Sequence, residues 1–354
     1  MAVEIALPSH VKTILLTGAG GFVGRELVRL LLYRFPDVSL IATDVGVPPN
    51  HGVTDSARLT CIAANLCDKK EVEGLFAGKQ VQAVFALHGI MSGQSEADFE
   101  LGYNVNIFSH LNVLSVLAKH AESRPQGEPL PVHVNVSSLA VYGGPRATPQ
   151  SRVVPEDTPL QPETSYGVCK SVVELVTYDY SRKGFLDGRT VRLPTVCIRT
   201  GAPSSAASSF ISGLVREPLQ GIKTVCPIAD SKDDETIEGM PIYVTRVKTV
   251  VDNIARAINV KAQDIEQKVG KTRCINLPGI KITTRDILNA LEQAGGQKAL
   301  DLIEFKRDPA VIAICETWAG DYDAAGPLGL GFAVDDRQQG YAQAVADFQE
   351  TLKA

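Results

Sequence analysis

The chain has 354 residues, a formal net charge of −5 and a hydrophobic fraction of 44%, which together describe a globular protein with an ample core. The negative charge and the lack of any run of Lys or Arg argue against nucleic acid or an anionic membrane as a partner. No stretch approaches the roughly 18 apolar residues of a membrane span. The N-terminus carries an acid where a signal peptide has bases, so we expect a cytoplasmic protein.

The seven cysteines give no sign of a disulfide framework or a metal site. Their number is odd, no C-x-x-C pair occurs, and most of them lie inside apolar segments. This pattern favours reduced, buried thiols, and we expect no bound metal.

The first predicted elements are a strand at 11–16, a glycine turn at 17–24 and a helix that includes 25–32. This order is typical of a phosphate site, because the N-terminus of the helix offers free N–H groups to an anion. The glycines read G-x-x-G-x-x-G and allow both a tight turn and a close approach of the backbone to a pyrophosphate. A glycine turn without a ligand is the alternative. The predicted cofactor contacts in this turn are Gly18, Gly21, Phe22, Val23 and Gly24.

The second predicted strand, at 38–44, ends in Asp44, twenty residues beyond Gly24. A carboxylate at this place accepts hydrogen bonds from both hydroxyls of an adenosine ribose and repels a 2′-phosphate. No Arg follows directly, so the pattern favours NAD over NADP. An Asp that only caps a helix or a turn is the alternative.

Four more predicted strands alternate with three helices up to residue 198. The strands are at 58–63, 81–87, 131–136 and 190–198, and the helices are at 69–76, 97–121 and 165–183. Alternation of this kind over some 200 residues predicts an α/β fold with a parallel, doubly wound sheet. His88 follows the fourth strand, where a histidine more often packs beside a cofactor than acts as a base.

Beyond Arg199 the pattern changes to a loop rich in Gly, Pro and Ser at 200–209. A helix within 242–258 is expected to return to the sheet, and a strand at 273–277 and a helix at 283–294 follow. We therefore expect an NAD-binding domain formed by 1–199 together with 242–262. The segments 200–241 and 263–354 are expected to form a smaller, mixed substrate-binding cap.

Tyr166 and Lys170 are separated by four positions on a predicted helix, so they share one face. A nearby ammonium favours the phenolate, and moving a phenol pKa from near 10 to about 7 takes roughly 4 kcal/mol. We expect a desolvated Lys170 and the positive ring of the cofactor to supply this shift together. Tyr166 could then accept a hydroxyl proton while hydride leaves the adjacent carbon. Ser138, at the end of the fifth strand, could hold the substrate oxygen, and Ser137 competes with it for this role. A chance pair on a solvated helix face is the alternative.

These motifs resemble those of the extended short-chain dehydrogenases/reductases, part of the NAD-dependent epimerase/dehydratase family. The likeness rests on 17–24, Asp44, Ser138, Tyr166 and Lys170. It implies a Rossmann-type domain that binds NAD, with Tyr166 as general base and Ser138 and Lys170 as its catalytic partners. It also implies a bracing role for Asn106. Further cofactor contacts that it implies are Asn65, Leu66, Leu87, Pro194 and Val196.

Segments at 91–99, 179–185, 192–197 and 206–210 are similar to a subfamily that oxidises the C2 hydroxyl of four-carbon sugar acids such as D-erythronate. The chain departs from that subfamily at 199–205 and 243–248, where substrate is chosen, and at Asn65, where an adenine-site Asp is expected. The resemblance also implies a homodimer built on the two long helices.

A sugar acid needs a cation for its carboxylate and hydrogen-bonding partners for its hydroxyls. Arg199 offers a guanidinium that can bind a carboxylate through two hydrogen bonds. Ser92, Ser208 and Ser209 are the candidates for the hydroxyls. A structural ion pair for Arg199 and exposed loops for the serines are the alternatives. Three other functions stay open: a nucleotide-sugar epimerase, a ketoreductase of a specialised pathway and a non-catalytic NAD sensor.

Overall fold

The computed structural model of the chain describes residues 5–50, 57–150, 153–201 and 206–353, and twelve strands occur within them. In chain order these are β1 (Thr13–Thr17), β2 (Ser39–Asp44), β3 (Leu59–Ala63), β4 (Ala83–Ala86), β5 (Val132–Ser138), β6 (Asp187–Leu193), β7 (Thr195–Cys197), β8 (Thr224–Cys226), β9 (Ile242–Arg246), β10 (Cys274–Asn276), β11 (Ile280–Ile282) and β12 (Ile303–Phe305). Strands β1 to β6 follow the predicted order along the chain.

Fourteen α-helices occur in the same part of the chain. They are α1 (Phe22–Arg34), α2 (Lys69–Phe76), α3 (Ser92–Ala97), α4 (Phe99–Tyr103), α5 (Ser109–Glu122), α6 (Ser165–Arg182), α7 (Ser209–Leu219), α8 (Thr236–Gly239), α9 (Val247–Ala257), α10 (Ala262–Val269), α11 (Thr284–Leu300), α12 (Pro309–Cys315), α13 (Ala325–Gly329) and α14 (Gly340–Thr351). Over the described ranges, no helix is both long and apolar enough to cross a membrane.

A seven-stranded parallel sheet has the order β10-β6-β5-β4-β1-β2-β3. The order reverses between β1 and β4, and a crevice at the carboxyl ends of the strands forms at such a switch point. Successive residues of a strand face opposite sides, so Leu15 and Leu16 enter two different buried clusters. Leu16 packs with α1 and α9, through residues such as Leu27 and Ile254, while Leu15 packs with α2 and α5. The predicted doubly wound sheet is confirmed.

A smaller mixed unit packs around two further sheets, of order β11-β9-β7 and β12-β8. Its buried cluster joins apolar faces of α7, α11 and α14, for example Leu214, Leu291 and Phe348. The start of α11 is fixed by a capping box, in which Thr283 accepts a hydrogen bond from the Asp286 N–H and Asp286 accepts one from the Thr283 N–H. The sheets and helices make the mixed C-terminal unit that was predicted.

One strand prediction needs correction, and one predicted strand lies in the large sheet rather than in the smaller unit. The single strand expected at 190–198 is two strands, β6 in the large sheet and β7 in the β11-β9-β7 sheet, separated by Pro194. Proline has no N–H to donate to a ladder, which explains why pairing ends there. The strand expected at 273–277 is β10, which pairs in parallel with β6. The large sheet therefore includes a strand from 263–354, the segment that the sequence assigned to the cap.

The long helix expected at 97–121 is present from residue 99 to residue 122, but it contains a π-helical turn. Helix α4 is followed by a π-helical turn, Asn104–Phe108, and then by α5. Asn106 lies inside this turn and is fully buried. Turns of this type often occur at functional sites.

Candidate active site

A cavity of about 470 Å³ lies at the carboxyl edge of the large sheet, and residues of the smaller unit line its far side. It is bordered by the turn after β1, the ends of β4 and β5, the start of α6 and the segment after β6. The predicted site residues that line it are Gly18, Gly21, Phe22, Val23, Gly24, Asp44, Leu87, Ser92, Ser138, Tyr166, Lys170, Pro194, Val196, Arg199 and Ser208. Most of the predicted site is thus brought together in one place.

The glycine turn fits closely between β1, β4 and α1. Gly18 has a φ of 70°, and a Cβ on it would lie 2.7 Å from the His88 backbone nitrogen. A Cβ on Gly24 would collide with the Gly18 carbonyl oxygen. Gly21 is the N-cap of α1, so the first N–H groups of that helix face the turn. The turn therefore has the shape and dipole that a pyrophosphate needs.

Asp44 ends β2 at the border of the cavity. Its carboxylate accepts hydrogen bonds from the Gly20 N–H at 2.9 Å and from the Val45 N–H at 2.8 Å. These bonds hold the carboxylate beside the glycine turn. The placement fits the ribose contact that the sequence predicted.

Tyr166 and Ser138 lie next to each other in the lining of the cavity. Helix α6 begins at a cap in which Thr164 accepts a hydrogen bond from the Gly167 N–H, and this start places Tyr166 on its first turn. Burial raises the pKa of Tyr166 to about 12, while the Arg199 charge and the hydrogen bond from Ser138 oppose that rise. The sequence predicted a pKa lowered by Lys170. That expectation included the positive ring of the cofactor. In the protein alone, burial dominates the pKa of Tyr166 and Arg199 is the cation that opposes it.

Lys170 is buried one turn further along α6. Its Nζ lies 5.6 Å from the centroid of the Tyr166 ring and donates a hydrogen bond to the Val136 carbonyl oxygen at 2.9 Å. Burial lowers the pKa of Lys170 to about 8, and the Glu174 carboxylate opposes this shift. The ammonium is therefore fixed at the end of β5, on the same side as the phenol.

The two adjacent serines have different partners. The Ser137 hydroxyl donates a hydrogen bond to Glu174 Oε1 at 2.6 Å, whereas the Ser138 hydroxyl accepts one from the Ala140 N–H and contacts Tyr166. Neighbouring residues of a strand point to opposite faces, which explains the difference. This geometry favours Ser138 over Ser137 as the partner of the base.

His88 is committed to packing. Its Nδ1 shares a hydrogen bond with the Thr17 hydroxyl at 2.7 Å, and its Nε2 shares one with the Ser109 hydroxyl at 2.9 Å. Its ring stacks on His110, with centroids 3.7 Å apart. Burial lowers the pKa of His88 to about 3, so the imidazole stays neutral. The ring ties the ends of β1 and β4 to α5 and is unsuited to act as a base.

Comparison with known proteins gives the family directly. Residues 14–232 match the sequence model of the NAD dependent epimerase/dehydratase family. The chain belongs to this family. It is an NAD-dependent oxidoreductase that acts on CH–OH groups, and its cofactor is NAD.

Two curated relatives match this chain over almost its whole length. A D-erythronate dehydrogenase from Cupriavidus necator is 35% identical over 96% of this chain and 97% of its own. A second D-erythronate dehydrogenase, from Haemophilus influenzae, is 33% identical over 95% of this chain and 99% of its own. A crystal structure described as a nucleoside-diphosphate-sugar epimerase, from Agrobacterium tumefaciens, is 29% identical, with a TM-score of 0.81 over 98% of this chain and 95% of its own.

Four predicted site residues do not line the cavity: Asn65, Leu66, Asn106 and Ser209. The Asn65 side chain accepts a hydrogen bond from the Cys67 N–H, and Leu66 is part of a buried cluster. Asn106 accepts a hydrogen bond from the Ile90 N–H and donates to the Ile90 carbonyl oxygen and the Ser95 hydroxyl. Asn106 therefore braces the loop after β4. Residues 202–205, part of the predicted substrate loop, lie outside the described residues.

Several residues that line the cavity were not predicted from the sequence. Trp318 and Tyr322 come from the segment after α12, and Tyr142 and Tyr243 complete an aromatic wall. Arg216 of α7 also lines the cavity and donates a hydrogen bond to the Arg199 carbonyl oxygen at 3.0 Å. No local motif marks these positions, although Tyr142 lies four residues after Ser138 in the family pattern. Among the described residues, no cluster of His, Cys, Asp or Glu could hold a metal ion.

Proposed function

We propose that the enzyme oxidises the C2 hydroxyl of a small sugar acid such as D-erythronate. The observation that carries the proposal is the position of Arg199, which lines the same cavity as Tyr166 and acts electrostatically on its phenol. In a 2-hydroxy acid the carboxylate is bonded to the carbon that carries the reacting hydroxyl. A cation beside the base therefore suits this substrate class. The names of the two D-erythronate dehydrogenases support the same choice.

The residues present fit NAD along one side of the cavity. The turn at 18–24 would hold the pyrophosphate on the N-terminus of α1, and Asp44 would accept the ribose hydroxyls. Pro194 and Val196 line the cavity beyond Lys170, where we place the nicotinamide end. When bound, NAD would supply the hydride acceptor and a positively charged ring.

Three side chains manage the proton of the substrate. The Tyr166 Oη removes the C2 hydroxyl proton, and the Ser138 hydroxyl donates a hydrogen bond that fixes the substrate oxygen. The buried Lys170 ammonium stabilises the phenolate. Burial keeps water away from these groups, which strengthens each charge interaction. Arg199 holds the carboxylate through two hydrogen bonds, and Ser92 and Ser208 contact the remaining hydroxyls.

The experiment is an absorbance assay for NADH with purified enzyme, NAD and a panel of sugar acids and nucleotide sugars. We expect turnover with D-erythronate and loss of at least about a thousandfold in kcat for Tyr166→Phe. Arg199→Gln should raise KM for the acid much more than KM for NAD, because only the acid contacts the guanidinium. Arg199→Lys is the matched control and should retain part of the affinity. Turnover of a nucleotide sugar with no response to any acid would refute the substrate and favour the epimerase alternative.

We also propose a homodimer in which the α4–α5 segment and α6 of two copies meet. Exposed apolar side chains on these helices support the proposal, namely Phe99, Leu101, Phe108 and Leu175. Light scattering after size-exclusion chromatography should give twice the chain mass, and Phe108→Asp should lower it. A monomer at every concentration would refute the dimer. Within each copy, we propose that the NAD-binding domain includes β10. A cytoplasmic location stays a prediction.

A further inference from the structure

A buried ion pair lies directly behind the cavity. The guanidinium of Arg192, on β6, binds the carboxylate of Glu174, on α6, through Nε at 3.0 Å and Nη2 at 2.7 Å. Glu174 is 2% exposed and Arg192 is 6% exposed, so water screens neither charge effectively. A buried pair of this kind gives little net stability, so stability alone does not account for its presence.

Three neighbouring residues connect the ion pair to the active site: Ser137, Tyr142 and Lys170. Glu174 Oε1 accepts the hydrogen bond of Ser137, and Arg192 Nη1 donates to the Tyr142 hydroxyl at 2.6 Å. Ser137 and Tyr142 both line the cavity. Glu174 also follows Lys170 by four positions on α6, which places both side chains on one buried face.

The charged and titratable groups around Lys170 make Glu174 distinctive. On the side of β4 and α5, burial lowers the pKa values of His88 and His110, so these rings are neutral. On α6 itself, Tyr166 and Cys169 hold their protons, because burial raises the pKa of each. Glu174 is the carboxylate that opposes the effect of burial on the Lys170 ammonium, and Arg192 lies beyond it on β6.

We propose that Glu174 is a positioning residue for the reaction, which keeps the buried Lys170 ammonium charged, and that Arg192 tunes how strongly Glu174 does so. This inference rests on the proposed role of Lys170 beside the base. Removing the carboxylate leaves the ammonium in an apolar site beside an uncompensated guanidinium. Removing the guanidinium has the opposite effect, because the Glu174 charge then acts on Lys170 alone. The two substitutions therefore shift Lys170 in opposite directions.

The test follows the titration of lysine side chains by NMR in the full chain, without substrate, and Lys170→Arg identifies the Lys170 signal. We expect the midpoint for Lys170 to fall by about one pH unit or more in Glu174→Gln and to rise in Arg192→Gln. Arg192→Lys keeps the charge and should leave the midpoint close to that of the native enzyme. Shifts of the same sign in the two Gln variants, or no shift, would overturn the proposal. If Glu174→Gln does not fold, the predicted rise in Arg192→Gln still decides.

A second readout links the charge to catalysis. In Glu174→Gln the rising limb of the pH profile for oxidation should move to higher pH, and in Arg192→Gln it should move to lower pH. Packing damage alone would lower kcat without moving the limb, and that result would refute the electrostatic role. The NMR titration needs no substrate, so it tests the role of Glu174 separately from the substrate. An enzyme that does not oxidise D-erythronate would refute the proposed substrate, and the titration result would still hold.

Discussion

Gly18 offers a sharp test of the cofactor turn, because the chain contains a matched control. A Cβ on Gly18 would lie 2.7 Å from the His88 nitrogen and 2.8 Å from the Leu87 carbonyl carbon. Gly78 has a nearly equal φ, 67° against 70°, but a Cβ there would meet no atom within 4 Å. Alanine at the two positions therefore carries the same backbone strain, and only Gly18→Ala adds a collision with backbone.

The expected magnitudes follow from these two contributions. A left-handed backbone costs a non-glycine residue about 1–2 kcal/mol, which is the whole expected loss for Gly78→Ala. Forcing atoms into a closely packed region costs a further 1–3 kcal/mol or so, giving a loss of about 2–5 kcal/mol for Gly18→Ala. The turn must also move away from β4, so the affinity for NAD should fall at least about tenfold, or 1.4 kcal/mol.

Urea unfolding measures the stability of both variants, and titration of NADH fluorescence measures cofactor affinity. Gly78→Ala should bind the cofactor as the native enzyme does. Equal unfolding free energies for the two variants, together with native affinity in Gly18→Ala, would refute the close approach on which the cofactor assignment depends.

Three further outcomes are expected. Ser138→Ala should lower kcat about a hundredfold and Ser137→Ala much less, since only Ser138 contacts the base; equal losses in steady-state kinetics would contradict this. Asp44→Asn should weaken the preference for NAD over NADP, and an unchanged ratio of initial rates would count against a ribose contact. Oxidation should quicken with pH, because Tyr166 must lose its proton, and should level above pH 8 as Lys170 loses its charge; an inflection near about 6.5 would instead indicate a histidine base.

Much of the large sheet could be predicted because its information is local. Buried parallel strands read as short apolar runs, and each is followed by a helix with a clear period. Pro194 shows where such reading fails. Apolar residues continue on both sides of it, so the segment resembles one strand, yet Thr195–Cys197 pairs with β9 in a different sheet. The return of β10 to β6 likewise depends on pairing between distant segments.

In the candidate site, too, some features are predicted by local sequence and others depend on the folded chain. Spacing alone relates Tyr166 to Lys170, and the place of Ser138 at a strand end follows from alternation. The pKa of Tyr166 did not follow, because it depends on burial and on Arg199, which are properties of the folded chain. Trp318 and Tyr322 reach the cavity through the packing of the cap, and no nearby sequence pattern reports that packing.

The π-helical turn Asn104–Phe108 has a consequence for how this helix can vary in length. Such a turn holds one residue more than an α-helix would, so everything before it is rotated by about 100° relative to everything after it. A one-residue deletion here would give a more regular helix and would turn Asn106 away from Ile90. The loop after β4 would then lose two hydrogen bonds, and Ser95 of α3 would lose one. The extra residue of the π-helical turn therefore directs Asn106 towards the loop after β4. Through Asn106 it holds that loop beside the cavity.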